Sequence, residues 1–158
     1  MAADALHLVR ARFNSQAAPP VPHPLAGGVL VASVGEPPSL RLVRVAAGWM
    51  MAAQSRRMLL LHVREVPGVL PLGAWPLDPA AMAELRGWVA GFRRQGLRAE
   101  FEVADCRSAA RAVIDRALAM RARAVVLGSS RTARGNLREP ARTVMRRLRN
   151  IEIVLYTG

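Results

Sequence analysis

From Val29 to the end, the chain alternates between short apolar runs and stretches whose apolar residues recur every three or four positions. The first pattern fits strands buried on both faces and the second fits helices with one buried face. Val29-Leu-Val-Ala-Ser33 reads as the first strand, with a turn from Gly35 to Pro38. Ser39 then caps a helix carrying Leu42, Ala46, Trp49, Met50 and Ala53 on its inner face. Met58 to Val63 is the second strand, followed by a loop with Pro67, Gly68, Pro71, Gly73 and Pro76. Asp78-Pro79 starts a helix, as capping carboxylate and first-turn proline. Its stripe is Met82, Leu85, Val89 and Phe92, and Gly96 ends it. Arg98 to Ala104 is the third strand. Ser108 or a neighbour starts a helix with Ala110, Val113, Ile114, Ala117 and Leu118 inward, and Ala124 to Gly128 is the fourth strand. Asn136-Leu-Arg-Glu139 has capping-box spacing before a helix burying Ala141, Val144, Met145 and Leu148. Ile151 to Tyr156 closes the chain as the fifth strand. Alternation of this kind implies right-handed βαβ units, hence a three-layer, doubly wound α/β fold with a parallel sheet.

Residues 1–27 read as an N-terminal tail and Pro-rich linker, and residues 28–158 as the domain. Asp4 to Phe13 has the spacing of a short helix, and Pro19, Pro20, Pro22 and Pro24 make the linker extended. Hydrophobic residues reach 52% with 4% aromatics, so the core is built from Ala, Val, Leu, Ile and Met. No apolar run is long enough to span a bilayer, and no signal pattern opens the chain. The lone Cys106 forms no internal disulfide, which fits a reducing cytoplasm. The expected location is cytoplasmic. The net charge of +12 is all arginine, because the sequence contains no lysine. That excludes a Schiff-base or Walker lysine. The arginine excess fits anionic partners, and it fits a GC-rich coding bias better.

Val29-Leu-Val-Ala-Ser-Val-Gly35, Arg57-Met-Leu-Leu-Leu-His-Val63, Ala124-Val-Val-Leu-Gly-Ser-Ser130 and Ile151-Glu-Ile-Val-Leu155 together resemble the universal stress protein (UspA) superfamily. Pro22-His-Pro-Leu-Ala-Gly-Gly28 and Gly128-Ser-Ser-Arg131 further resemble the stress-protein domain of KdpD-type potassium-sensing histidine kinases. The resemblance implies five parallel strands in the order 3-2-1-4-5 with four helices. It also implies a non-enzymatic stress or signalling module that acts through a protein partner, a transporter or sensor kinase being the kind expected. The implied ligand is ATP or another adenine nucleotide, cyclic di-AMP included.

ATP-binding members show Gly-x-x-Gly, nine further residues, then Gly-Ser/Thr. Here Gly128 matches, Arg131 replaces the second glycine, and Ala141-Arg142 stands at the end. The acidic residue those members carry after the first strand is matched by Val34. The site is therefore a degenerate one, drawn from Ala32, Ser33, Val34, Gly128, Ser129, Ser130, Arg131 and Arg134. In it Arg131 and Arg134 hold phosphate, Ser129 and Ser130 donate hydrogen bonds, and Ala32 and Ser33 line the cleft. An ATP binder with slow hydrolysis is one alternative.

An Arg-rich binder of nucleic acid or anionic surfaces is another, using Arg131, Arg134, Arg138, Arg142, Arg146 and Arg149. The last four are spaced for one helix face. No aromatic interleaves them to stack on bases, which argues against nucleic acid. Through Ile151, Ile153 and Leu155 the last strand presents an edge, and the resemblance implies a homodimer formed there. His7, His23 and His62 are scattered, so no metal-ligand spacing arises. Asp78, Asp105 and Asp115 read as a cap, a loop residue and a helix-surface charge, leaving no catalytic residue.

Overall fold

The computed structural model describes residues 9–12 (backbone), 24–128 and 139–156. Within them the chain runs β1 (Val9–Arg12), β2 (Val29–Val34), α1 (Leu40–Ala52), β3 (Arg57–Glu65) and α2 (Pro79–Arg94). It continues through β4 (Arg98–Cys106), α3 (Ala109–Ala119), β5 (Ala124–Gly128), α4 (Glu139–Arg147) and β6 (Glu152–Tyr156). One sheet holds the strands in the order β1-β4-β3-β2-β5-β6, every pairing parallel. Counting only the strands expected from Val29 onward, this is the order 3-2-1-4-5 with four helices, as expected.

β1 departs from expectation. Val9–Arg12, within the segment expected as a helix, is instead extended and pairs with β4, Val9 beside Glu102 and Arg12 beside Asp105. A helix of ten residues is marginal on its own in water. Lying along β4 satisfies backbone groups that a bare edge would leave open.

The helices divide evenly between the two faces. Leu42, Val43, Ala46 and Met50 of α1 share one core with Met82, Leu85 and Val89 of α2. Ala109, Val113 and Ala117 of α3 share the other with Ala141 and Val144 of α4 and Leu148 just after it. Two residues expected inside are exposed, Leu118 at 59% and Met145 at 43%. Each directly follows a fully buried residue, Ala117 or Val144, so it is rotated ~100° away from the core.

The caps hold where described. Ser39 accepts from Leu42 N, Asp78 from Ala80 N and Ser108 from Arg111 N. The capping box at Asn136–Glu139 lies outside the described residues, apart from the Glu139 backbone. Because all strands are parallel, all begin at one end of the molecule, and there all four helices finish. Their last turns carry Arg93 and Arg94 in α2 and Arg146 and Arg147 in α4.

Candidate functional site

In an open parallel sheet the ligand crevice forms at the carboxyl ends of the strands, where the winding direction reverses. Here that point lies between β2 and β5. Register sets Ser33 beside Gly128 on one side and His62 on the other. Gly128 is partly exposed, and a Cβ placed on it would come within 2.8 Å of Leu42 Cδ2 of α1.

The loop leaving β2 is held at three points. Ser33 Oγ donates to Glu36 O at 2.7 Å, Gly35 N donates to Val63 O at 2.8 Å, and His62 Nε2 meets Gly35 O at 3.1 Å. Gly35 has φ +84°, a conformation that a side chain at this position would strain. Ser39 and the first turn of α1 follow directly, with Arg41 and Arg44 exposed. Backbone N–H groups at such a turn favour anions.

The expected site residues are only partly brought together. Ser33, Val34 and Gly128 sit at the crevice. Ala32 does not line it, because its side chain is fully buried in the core beneath α3 and α4. Val34 is half-buried and packs against that same core, so it offers a ligand only backbone and methyl surface. Ser129, Ser130, Arg131 and Arg134 lie outside the described residues, as does Arg138. Arg142 and Arg146 are exposed on α4, in keeping with one polar helix face, whereas Arg149, expected on that face, is exposed in the turn beyond the end of the helix.

At the proposed dimer edge, Ile151 precedes β6 while Ile153 and Leu155 lie within it. All three are half-buried against the α3–α4 core, and Val154 and Tyr156 pack on the opposite core. What this last strand offers a partner is therefore its backbone.

Several polar groups near the crevice escaped sequence reasoning. His62 is 6% exposed, and since a carbonyl faces Nε2, the proton sits there. Its Nδ1 is buried and finds no hydrogen-bond partner among the described residues. Burial lowers the pKa of His62, so the ring stays neutral. Asp105, expected in a loop, lies inside β4 at 2% exposure. It accepts from Arg64 Nε at 2.7 Å, while the other two Arg64 nitrogens hold the carbonyls of Pro76 and Trp75. Arg107 holds the carbonyls of Val66, Pro67 and Leu70. Two guanidinium groups thus fasten the loop of residues 66–78 to the carboxyl ends of β3 and β4.

Glu65 accepts from Ala109 N at 2.7 Å, adding a second cap to α3. Glu102 and Arg116 form a further buried ion pair, and burial pushes the Glu102 carboxyl above its ordinary range. Burial also pushes the Cys106 thiol up to about 11, so at neutral pH it is no nucleophile. No cluster of His, Cys, Asp and Glu among the described residues has metal-holding geometry. No described helix is long and apolar enough to cross a membrane.

No protein-family model matches the chain, and no curated protein matches it. Solved structures do. A universal stress protein from Archaeoglobus fulgidus in complex with dAMP is 21% identical, over 83% of this chain and 98% of that one, with a TM-score of 0.55. A universal stress protein family member from Burkholderia pseudomallei is 15% identical, over 87% and 100%, with a TM-score of 0.56. A universal stress protein in complex with cAMP is 18% identical, over 84% and 98%, at 0.54. At these identities the likeness establishes a shared fold.

Proposed function

We propose that this chain is a universal stress protein domain with a regulatory, non-enzymatic role, responding to an adenine nucleotide or similar anion at the carboxyl ends of β2 and β5. The observation that carries this is the switch point itself, where Ser33, Gly35 and Gly128 meet the first turn of α1. Neighbours sharing the fold were solved with dAMP and cAMP, which supports an adenine nucleotide as ligand. Val34 in place of an acidic residue and Arg131 in place of a glycine set the site apart from ordinary ATP binding. Arg131 and Arg134 then supply the charge for phosphate, with Ser129 and Ser130 as donors. Ligand binding favours one arrangement of the protein over another, and a protein partner reads that shift. The kinase-domain resemblance points to a transporter or sensor kinase as that partner. β6, last in the strand order, is where a second copy would pair.

A thermal-shift screen against ATP, ADP, AMP, dAMP, cAMP and cyclic di-AMP tests the reading. A ligand at ~100 times its dissociation constant stabilises the fold by about 2.7 kcal/mol. A selective shift that disappears in Arg131→Ala is the expected result. The absence of any shift across the panel would overturn the nucleotide site.

A further inference from the structure

The end of the molecule opposite the crevice carries its own pattern. Three backbone hydrogen bonds knit it together: Gly27 N to Met120 O, Arg98 N to Arg56 O, and Arg123 N to Gly28 O. The segments that open strands there carry Arg56, Arg57, Arg98, Arg121, Arg123 and Arg149, all exposed. The exposed arginines already noted in the last turns of α2 and α4 join them. Among the described residues, Glu100, Asp115 and Glu152 lie toward this end, Glu102 is paired with Arg116, and Glu36, Glu65, Asp78, Glu84 and Asp105 lie toward the other.

Helix dipoles account for part of this, because each helix end bears about half a negative charge. They do not account for arginines at the strand starts. Where these guanidinium groups are hydrogen-bonded, several hold carbonyl oxygens: Arg57 that of Ala26, Arg123 that of Ala53, Arg149 that of Arg146. Such bonds orient a positive charge without cancelling it.

Two grooves open on this end. One, of about 760 Å³, lies between the last turns of α3 and α4 and is lined by Leu118, Arg146, Arg147 and Arg149. A smaller one, of about 180 Å³, includes Arg93 and Arg98. Large apolar side chains also stand out here. Met51 in the last turn of α1 is 82% exposed, and Leu118 in that of α3 is 59% exposed.

We propose that this amino-end face docks on an anionic lipid bilayer, with arginines on headgroup phosphates and Met51 and Leu118 entering the interface. Charge spread across the ends of several strands matches a plane of phosphates. The protruding apolar groups find their complement just below that plane. The other strongly exposed apolar group, Val69 at 90%, lies in the loop at the opposite end, away from this cluster of arginines. The face acts whether or not a nucleotide binds at the opposite end.

Sedimentation of the full chain with vesicles tests this, comparing pure phosphatidylcholine with vesicles in which about one third of the lipid is phosphatidylglycerol. The protein should sediment with the anionic vesicles and not the neutral ones. Arg146→Glu with Arg147→Glu should weaken binding by about tenfold or more. Arg41→Glu with Arg44→Glu, an equal charge change at the opposite end, should leave it within about twofold. If circular dichroism shows the first pair misfolded, Arg56→Glu with Arg98→Glu gives the same reading. Met51→Ser with Leu118→Ser should weaken binding while keeping its salt dependence. Failure to sediment with anionic vesicles would overturn the proposal. Equal loss from charge reversal at either end would overturn it too, as mere net charge.

Discussion

His62 and Asp105 show how much rests on single buried polar groups beside the crevice. His62 reaches the loop after β2 through one ring nitrogen, and the other is buried. Protonation would put a hydrogen on that second nitrogen, so the native ring resists it. The unfolded chain takes up the proton near pH 6.5 while the native state does so only at lower pH. Stability is therefore complete above about pH 6.5 and falls as pH drops below it. Thermal melts from pH 5 to 8 should show that decline, and His62→Gln should flatten it. Asp105 has a different role, as the partner of a buried guanidinium group. Asp105→Ala leaves that charge uncompensated and should cost about 3–5 kcal/mol in denaturant unfolding. It should also loosen the loop of residues 66–78, seen as faster amide exchange there.

The elements themselves were legible in the sequence wherever apolar periodicity was strong. β2, β3 and β5 are nearly continuous apolar runs, and α1 to α3 have caps readable as Ser39, Asp78 and Ser108. Less legible was whatever depends on partners distant in sequence. β4 extends to Cys106 by pairing with Arg64 and Glu65 of β3, and no local pattern encodes the bond between Asp105 and Arg64. Val9–Arg12 is a strand because β4 offers it an edge, whereas its own spacing suits a helix equally well. Of the crevice, Ser33 and Gly128 were visible from motif position. The inward turn of Ala32 follows from side-chain alternation along β2, a rule that a motif match overlooks. Removing residues 1–23 should leave the remaining five strands folded but uncover the β4 edge. The expected outcome is a lower melting temperature and concentration-dependent association in analytical ultracentrifugation. At Gly28, where a Cβ would lie 2.6 Å from Arg57 O, Ala should destabilise the β2–β3 start by more than about 1 kcal/mol.

Over the whole molecule, a net charge of +12 means that the fold works against its own repulsion. Salt relieves such repulsion once the screening length drops to about 10 Å or less. The melting temperature should therefore rise between low and physiological ionic strength. A protein stabilised mainly by surface ion pairs would show the reverse. Arg146→Gln with Arg147→Gln should reproduce part of that rise at low salt.

A parallel sheet also fixes how far apart the two ends must stay. β3 and β4 run nine residues each from the arginine-bearing end to the level of the crevice, about 30 Å of backbone at the usual rise. That distance exceeds the reach of screened charge, so the two ends can be altered by mutation almost independently of each other. The domain is in effect a spacer with two separately addressable faces. An engineer could redirect one face to a new surface and leave the chemistry of the other as it was.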